Sequence, residues 1–111
     1  MELPNKANAF VSIRKVSEYL ISETHAVGKS KAKYFRSLGF NEQNVGQFQQ
    51  GLIRLAQEEY VTEVGETIYG KKYIVDGNLE TPRGDMIRLR TVWIIETGDS
   101  VPRLVTAYPL D

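Results

Sequence analysis

The chain has 111 residues, no cysteine and a formal net charge of zero, with 41% apolar and 25% charged residues. That balance excludes disulfides, thiolate metal centres, a cysteine nucleophile and binding of a polyanion over the whole surface; it predicts a single globular domain with one core. No apolar run approaches the ~20 residues of a membrane helix. The segment Met1–Phe10 lacks the basic-then-apolar order of a signal peptide, so a cytoplasmic protein without a membrane partner is expected.

In chain order, Glu2–Phe10 is broken by Pro4, Asn5 and Asn8 and predicts an irregular lead-in. Ser12 is a suitable N-cap for a helix over Ile13–Ile21, with Ile13, Val16 and Leu20 on its apolar face. After the loop Ser22–Gly28, a second helix is predicted over Lys29–Leu38, its core face made by Ala32, Phe35 and Leu38. Gly39 fits a C′ position, with Phe40 packing back. Asn41 is the expected N-cap of a third helix over Glu42–Glu59, with Phe40 and Val45 as a hydrophobic staple and Val45, Phe48, Leu52, Leu55 and Ala56 as its buried stripe.

From Val61 the apolar period changes from helical to alternating. Val61–Tyr69 and Lys72–Leu79 predict a hairpin about Gly70, with Asp76-Gly77 as a bulge or early turn. The run Thr81–Asp85 is a turn signal. A second hairpin follows, Ile87–Thr97 and Arg103–Tyr108 about the polar segment Gly98–Pro102. Helices first and short-linked strands after predict an α+β fold: two to three N-terminal helices packed on one face of a four-stranded antiparallel meander.

A sheet covered by helices on one side leaves the other side for function. In the last strand Val105 and Ala107 are small enough to lie under a helix, which leaves Thr106 and Tyr108 for the free side or its rim. Arg88 and Arg90 share a face of the strand before. Which face that is depends on the register, since a slip of one residue exchanges all of them. If the two pairs coincide, the free face presents cations, a hydroxyl and a phenol, a surface suited to a phosphodiester. Trp93 is expected in the core.

Charge is uneven along the chain. Lys29, Lys31, Lys33 and Arg36 fall within eight residues without an acid among them, whereas the part from Val61 onward has eight acids against six bases. Such a local patch suits RNA or phosphate, or is simply a solvated helix face. His25, the one histidine, precedes this patch and is the side chain best suited to acid–base work near neutral pH. One histidine without an acidic pair at ligand spacing predicts no metal site, and no cofactor motif is present. The Gly28-Lys29-Ser30 triplet is not a phosphate-binding P-loop, because Glu23 stands where that motif needs its first glycine.

Three segments carry a family resemblance: T-H-A-V-G-K-S-K-A-K-Y-F-R-S-L-G-F (24–40), Y-G-K-K-Y-I-V-D-G (69–77) and R-T-V-W-I-I-E-T-G…P-R-L-V-T-A-Y-P (90–109). Together they resemble an uncharacterised bacterial domain family, found as small standalone proteins and as the C-terminal module of toxin-like chains. More distantly the chain resembles the metal-independent ribonuclease superfamily of barnase, EndoU, the colicin-type tRNases and RelE. That resemblance rests on the helices-then-sheet order and on the closing strand Val105-Thr106-Ala107-Tyr108. It implies an endoribonuclease making a 2′,3′-cyclic phosphate, with His25, Lys31, Arg90, Thr106 and Tyr108 as catalytic residues and Lys29, Lys33, Arg36 and Arg88 steering RNA. It also implies a small acidic inhibitor as partner. The contrasting expectation is a non-catalytic module that binds an operon partner through the sheet face or edge; the zero net charge favours it, since a ribonuclease is often basic.

Overall fold

The computed structural model describes residues 1–24 and 29–110. Helix α1 (Ile13–Lys15) runs on into a single wide π turn, Val16–Leu20; α2 spans Lys29–Ser37 and α3 Val45–Glu58. Strands β1 (Val61–Thr67), β2 (Gly70–Glu80), β3 (Met86–Glu96) and β4 (Arg103–Pro109) follow. They form one sheet in the order β1-β2-β3-β4, antiparallel throughout. The fold is the α+β meander that the sequence predicts.

Local chemistry accounts for most element ends. The Ser12 side chain accepts the Arg14 amide at 3.2 Å and caps α1. Gly39, at φ 103°, ends α2: its amide donates to the Arg36 carbonyl at 3.0 Å, and Phe40 N–H donates to the Phe35 carbonyl at 3.2 Å. That paired closure satisfies two carbonyls left open by the helix end. The start of α3 lies three residues beyond the predicted Glu42, because two asparagines build a turn first. Asn41 Oδ1 accepts the Gln43 amide at 2.8 Å, and Asn44 Oδ1 accepts the Asn41 amide at 2.9 Å. Side chains that bond nearby backbone compete with helix at its margin.

The π turn changes which face of the first helix is buried. Ile21 N–H reaches back to the Val16 carbonyl, five residues away, at 3.0 Å. The wider turn brings Ile21 into the core beside Val16 and Leu20, while Ile13, predicted on that face, is exposed. The core otherwise follows the pattern. Phe35, Phe40 and Phe48 form an aromatic cluster with centroids 4.2–6.4 Å apart. It lies with Leu52, Leu55 and Ala56 in one apolar cluster that also takes in Tyr73, Val75, Leu79, Leu89, Trp93, Leu104 and Ala107 from the sheet.

Asp76-Gly77 is neither a bulge nor a turn: both residues sit in an unbroken β2, opposite Arg90 and Leu89. Gly77 is required because a Cβ there would lie 2.7 Å from Glu59 Cγ and 2.9 Å from Leu55 Cγ, so α3 can press directly on the strand. Register shifts lie instead in the first pair of strands, at Thr62, and in the last pair, where Val92 faces Thr106 but Trp93 faces Leu104. The extra residue, Val105, breaks the alternation. Leu104 and Ala107 both turn into the core and Val105 does not, which corrects the expectation that Val105 and Ala107 lie together under a helix.

Candidate functional site

The register settles the face question left open by the sequence. Across β2, β3 and β4 the outer face carries rows of facing residues: Lys72, Ile94 and Arg103; then Ile74, Val92 and Thr106; then Asp76, Arg90 and Tyr108; then Asn78 and Arg88. None of these is buried. Arg88, Arg90, Thr106 and Tyr108 therefore share the face away from the core. Lys72 and Arg103 add positive charge to it, and Ile74, Val92 and Ile94 give it a partly exposed apolar floor.

Helix α2 completes the arrangement at the β4 edge. Lys31 lies on a turn that directs its ammonium to the sheet rim, where Nζ donates to Thr106 Oγ1 at 2.7 Å and to the Tyr19 hydroxyl at 3.0 Å. The two hydroxyls are 3.5 Å apart. Nζ also lies 5.2 Å from the Tyr19 ring centroid and 5.7 Å from that of Tyr108, positions that favour a cation over an aromatic face. Among the described residues no carboxylate pairs with Lys31. Lys15 Nζ also lies over the Tyr19 ring, 5.0 Å from its centroid.

Next along the face, Arg90 is held by Asp76 through two parallel bonds, Nε to Oδ1 and Nη2 to Oδ2, each 2.9 Å. The Asp76 side chain is only 11% exposed and that of Arg90 32%. This planar fork fixes the guanidinium's orientation. Bonding and charge from Asp76, with a smaller contribution from Tyr108, push the Arg90 pKa further above its ordinary value. Arg90 is thus permanently cationic, but its charge is already matched by Asp76.

Tyr19 balances opposing influences. Burial raises the pKa of its phenol, but the hydrogen bonds from Lys31 and Thr106, with the charges of Lys31 and Lys15, outweigh burial and leave it below the ordinary 10.0.

Of the predicted site residues, the structure brings Lys31, Arg90, Thr106 and Tyr108 into one continuous cluster. His25 and the side chain of Lys29 lie outside the described residues. Lys33 is exposed on α2 and Arg88 on the outer face. Arg36 is occupied structurally: its Nε donates to the Ile21 carbonyl at 2.7 Å and lies 3.3 Å from Glu23, and its Nη atoms bind the Glu42 carboxylate. It ties α2 to the chain on both sides and is not a free cation for RNA.

Two residues of the cluster were not singled out in the sequence. Asp76 was hidden in an apparent Asp-Gly turn; the signal that could have found it is its place opposite Arg90, which needs the register. Tyr19 was hidden because a regular helix misplaces it by the residue that the π turn adds. A separate groove of about 430 Å³ lies between α3 and the ends of β2 and β3, lined by Gln47, Arg54, Glu58, Asn78 and Glu80 among others. Its one cation, Arg54, stands with two acids, so it lacks the anion-seeking character of the sheet rim.

The fold and the cluster define an α+β domain with a helix-backed sheet whose open face and rim carry a cationic, hydroxyl-rich site. The chain belongs to the family described as a domain of unknown function, DUF6883, whose model matches residues 2–111. No curated protein matches it. A chain of the contact-dependent growth inhibition toxin–immunity protein complex from Klebsiella pneumoniae 342 is similar in structure, with a TM-score of 0.70 at 14% identity over 96% of this chain and 97% of that one. At that identity the likeness shows the fold alone. Among the described residues no helix is long and apolar enough to cross a membrane.

Proposed function

We propose that this protein is a metal-independent endoribonuclease that cleaves RNA through a 2′,3′-cyclic phosphate and is held in check by a partner protein. The observation that carries the reading is Lys31: an ammonium bound by two hydroxyls and two aromatic rings, without a carboxylate among the described residues, at the rim of a cationic sheet face. A phosphate set there would take its charge partner from Lys31 and hydrogen bonds from Thr106 and Tyr19. Arg90, locked by Asp76, stands next in line to stabilise charge growing on the phosphoryl oxygens, an electrostatic contribution usually larger than any other in such sites. Lys72, Arg88, Arg103 and Lys33 would guide the backbone of a longer RNA, so binding should weaken with salt. His25, at the head of the same basic segment, is the proposed base for the 2′ hydroxyl. An acidic partner protein would cover the same cationic face, in keeping with the toxin–immunity context of the structural neighbour. A chain without cysteine suits the reducing cytoplasm.

The test is incubation with total cellular RNA in excess EDTA. Discrete cleavage that falls about 10²–10³-fold in Lys31→Ala, the cost of losing one such charge-stabilising group, supports the reading. Intact RNA at high protein concentration, from a chain whose circular dichroism shows it folded, overturns it.

A second reading, a non-catalytic partner-binding module, is favoured by β1. This edge strand is exposed along nearly its whole length, and its turn presents Ile68 and Tyr69 at 87% and 70% exposure. A partner whose binding is lost on Val64→Pro, while RNA stays intact throughout, would select it.

A further inference from the structure

The proposed reaction needs a proton for the departing 5′ oxygen, and the cluster holds two phenols that could supply it, Tyr19 and Tyr108. We propose that Tyr19 is the catalytic residue that does so. This inference rests on the ribonuclease reading and adds a residue to it.

Three observations distinguish Tyr19 from Tyr108. The first is bonding. The Tyr19 oxygen accepts directly from Lys31 Nζ at 3.0 Å, so the phenolate formed when its proton leaves is met by an ammonium already in place. Tyr108 presents the face of its ring to Lys31, with Nζ 5.7 Å from the centroid, and its hydroxyl faces Arg90, whose charge Asp76 already matches. The second is placement. The Tyr19 hydroxyl, the Thr106 hydroxyl and the Lys31 ammonium come from three separate elements and converge within 2.7–3.5 Å of one another. Phosphoryl oxygens held by Lys31 and Thr106 would lie beside the Tyr19 oxygen. The third is backbone. Tyr19 sits in the π turn, and single wide turns of this kind within a helix recur at functional sites because they re-aim a side chain at some cost in regularity. The lowered phenol pKa agrees with this bonding.

The 2′ oxygen bonds to phosphorus and gives its proton to the general base. The bond from phosphorus to the 5′ oxygen breaks, and that oxygen takes the Tyr19 proton and leaves as a hydroxyl. The phenolate remains beside Lys31 until solvent returns a proton. Lys31 and Thr106 hold the non-bridging oxygens throughout.

The test compares wild type, Tyr19→Phe and Tyr108→Phe on two substrates: a dinucleotide with an ordinary 5′ oxygen, and uridine 3′-(4-nitrophenyl phosphate), whose leaving group needs no proton donor. Tyr19→Phe should lower dinucleotide cleavage about 10²–10⁴-fold, the usual weight of general acid catalysis, while release of nitrophenol stays within about threefold of wild type. The alkaline fall in the wild-type pH profile should also disappear in that variant. Equal losses on both substrates would make Tyr19 merely structural, and no loss on the dinucleotide would transfer the role elsewhere; either result overturns the inference while the ribonuclease reading stands. A wild type that cleaves neither substrate overturns both. Circular dichroism and thermal melting check that both variants keep the fold.

Discussion

At the scale of single residues, the polar groups of this protein fall into two kinds, those spent on the fold and those left for chemistry. Thr91 belongs to the first. Fully buried, it accepts the Trp93 indole N–H at 2.8 Å and donates to the Val75 carbonyl at 2.6 Å. The indole would otherwise carry an unsatisfied donor into the core. Thr91→Val keeps the shape and removes both bonds, so it should cost about 1–3 kcal/mol in urea unfolding, the range for stranding a buried donor, with the site's chemistry unchanged. Arg36 is spent in the same sense. Lys31 is the contrary case, with a charge that the fold meets with hydroxyls and rings. Sequence alone does not separate these cations: Lys31 and Arg36 belong to the same basic run, and only the positions of Glu23, Glu42 and Thr106 tell them apart.

At the scale of elements, the helices, the hairpins and most caps are legible because they rest on local chemistry: serine before a helix, glycine after one, alternation in a strand. Two departures lie where a single inserted residue changes a period, the π turn at Val16–Leu20 and the bulge at Val105, because a regular period continues straight through an insertion. The other two, the start of α3 and Asp76-Gly77, lie where side-chain bonding or close packing overrides a local signal. Lys31, Arg90, Thr106 and Tyr108 are therefore legible in the sequence, whereas Tyr19, inside the π turn, and Asp76, behind a turn signal in an unbroken strand, are not. The clamp around α2 gives an element-scale prediction. The Arg36 hydrogen bond, then one from Glu42's own backbone, outweigh burial and, with the charge of Arg36, hold the Glu42 pKa below its ordinary 4.5. A depressed carboxylate stabilises the fold above its unfolded pKa and loses that contribution as pH falls through the folded one. Glu42→Gln should therefore lower the melting temperature at pH 7, and the difference from wild type should shrink steadily below pH 4.5.

For the whole molecule, the two edges of the sheet are treated differently. Along β4, the backbone of Phe10 pairs with the strand, through Phe10 N–H to the Pro102 carbonyl at 2.8 Å and Leu104 N–H to the Phe10 carbonyl at 3.0 Å; Lys31 and Tyr19 close the rim beyond. Along β1, among the described residues only the start is covered, by the Val61 N–H bond to the Met1 carbonyl and the bridge between Glu2 and Tyr60. Glu63 and Glu66 guard the rest, as charges on an open edge do. Val64 is the exposed apolar residue between them. Val64→Lys should reduce aggregation on heating, measured by light scattering, without disturbing the rim cluster, which lies on the opposite edge.

The cluster also ties together distant parts of the chain. Every strand of the meander pairs with its neighbour in sequence, so the sheet can zip up from local hairpins. The site cannot. Lys31 meets Thr106 across 75 residues of sequence and Tyr19 meets it across 87, contacts whose closure entropy must be met before they return anything. A chain with its sheet formed and its N-terminal helices undocked has much of its β-structure and none of its rim. The rim cluster is in that sense a report on docking: it is complete only where the N-terminal helices meet the last strand.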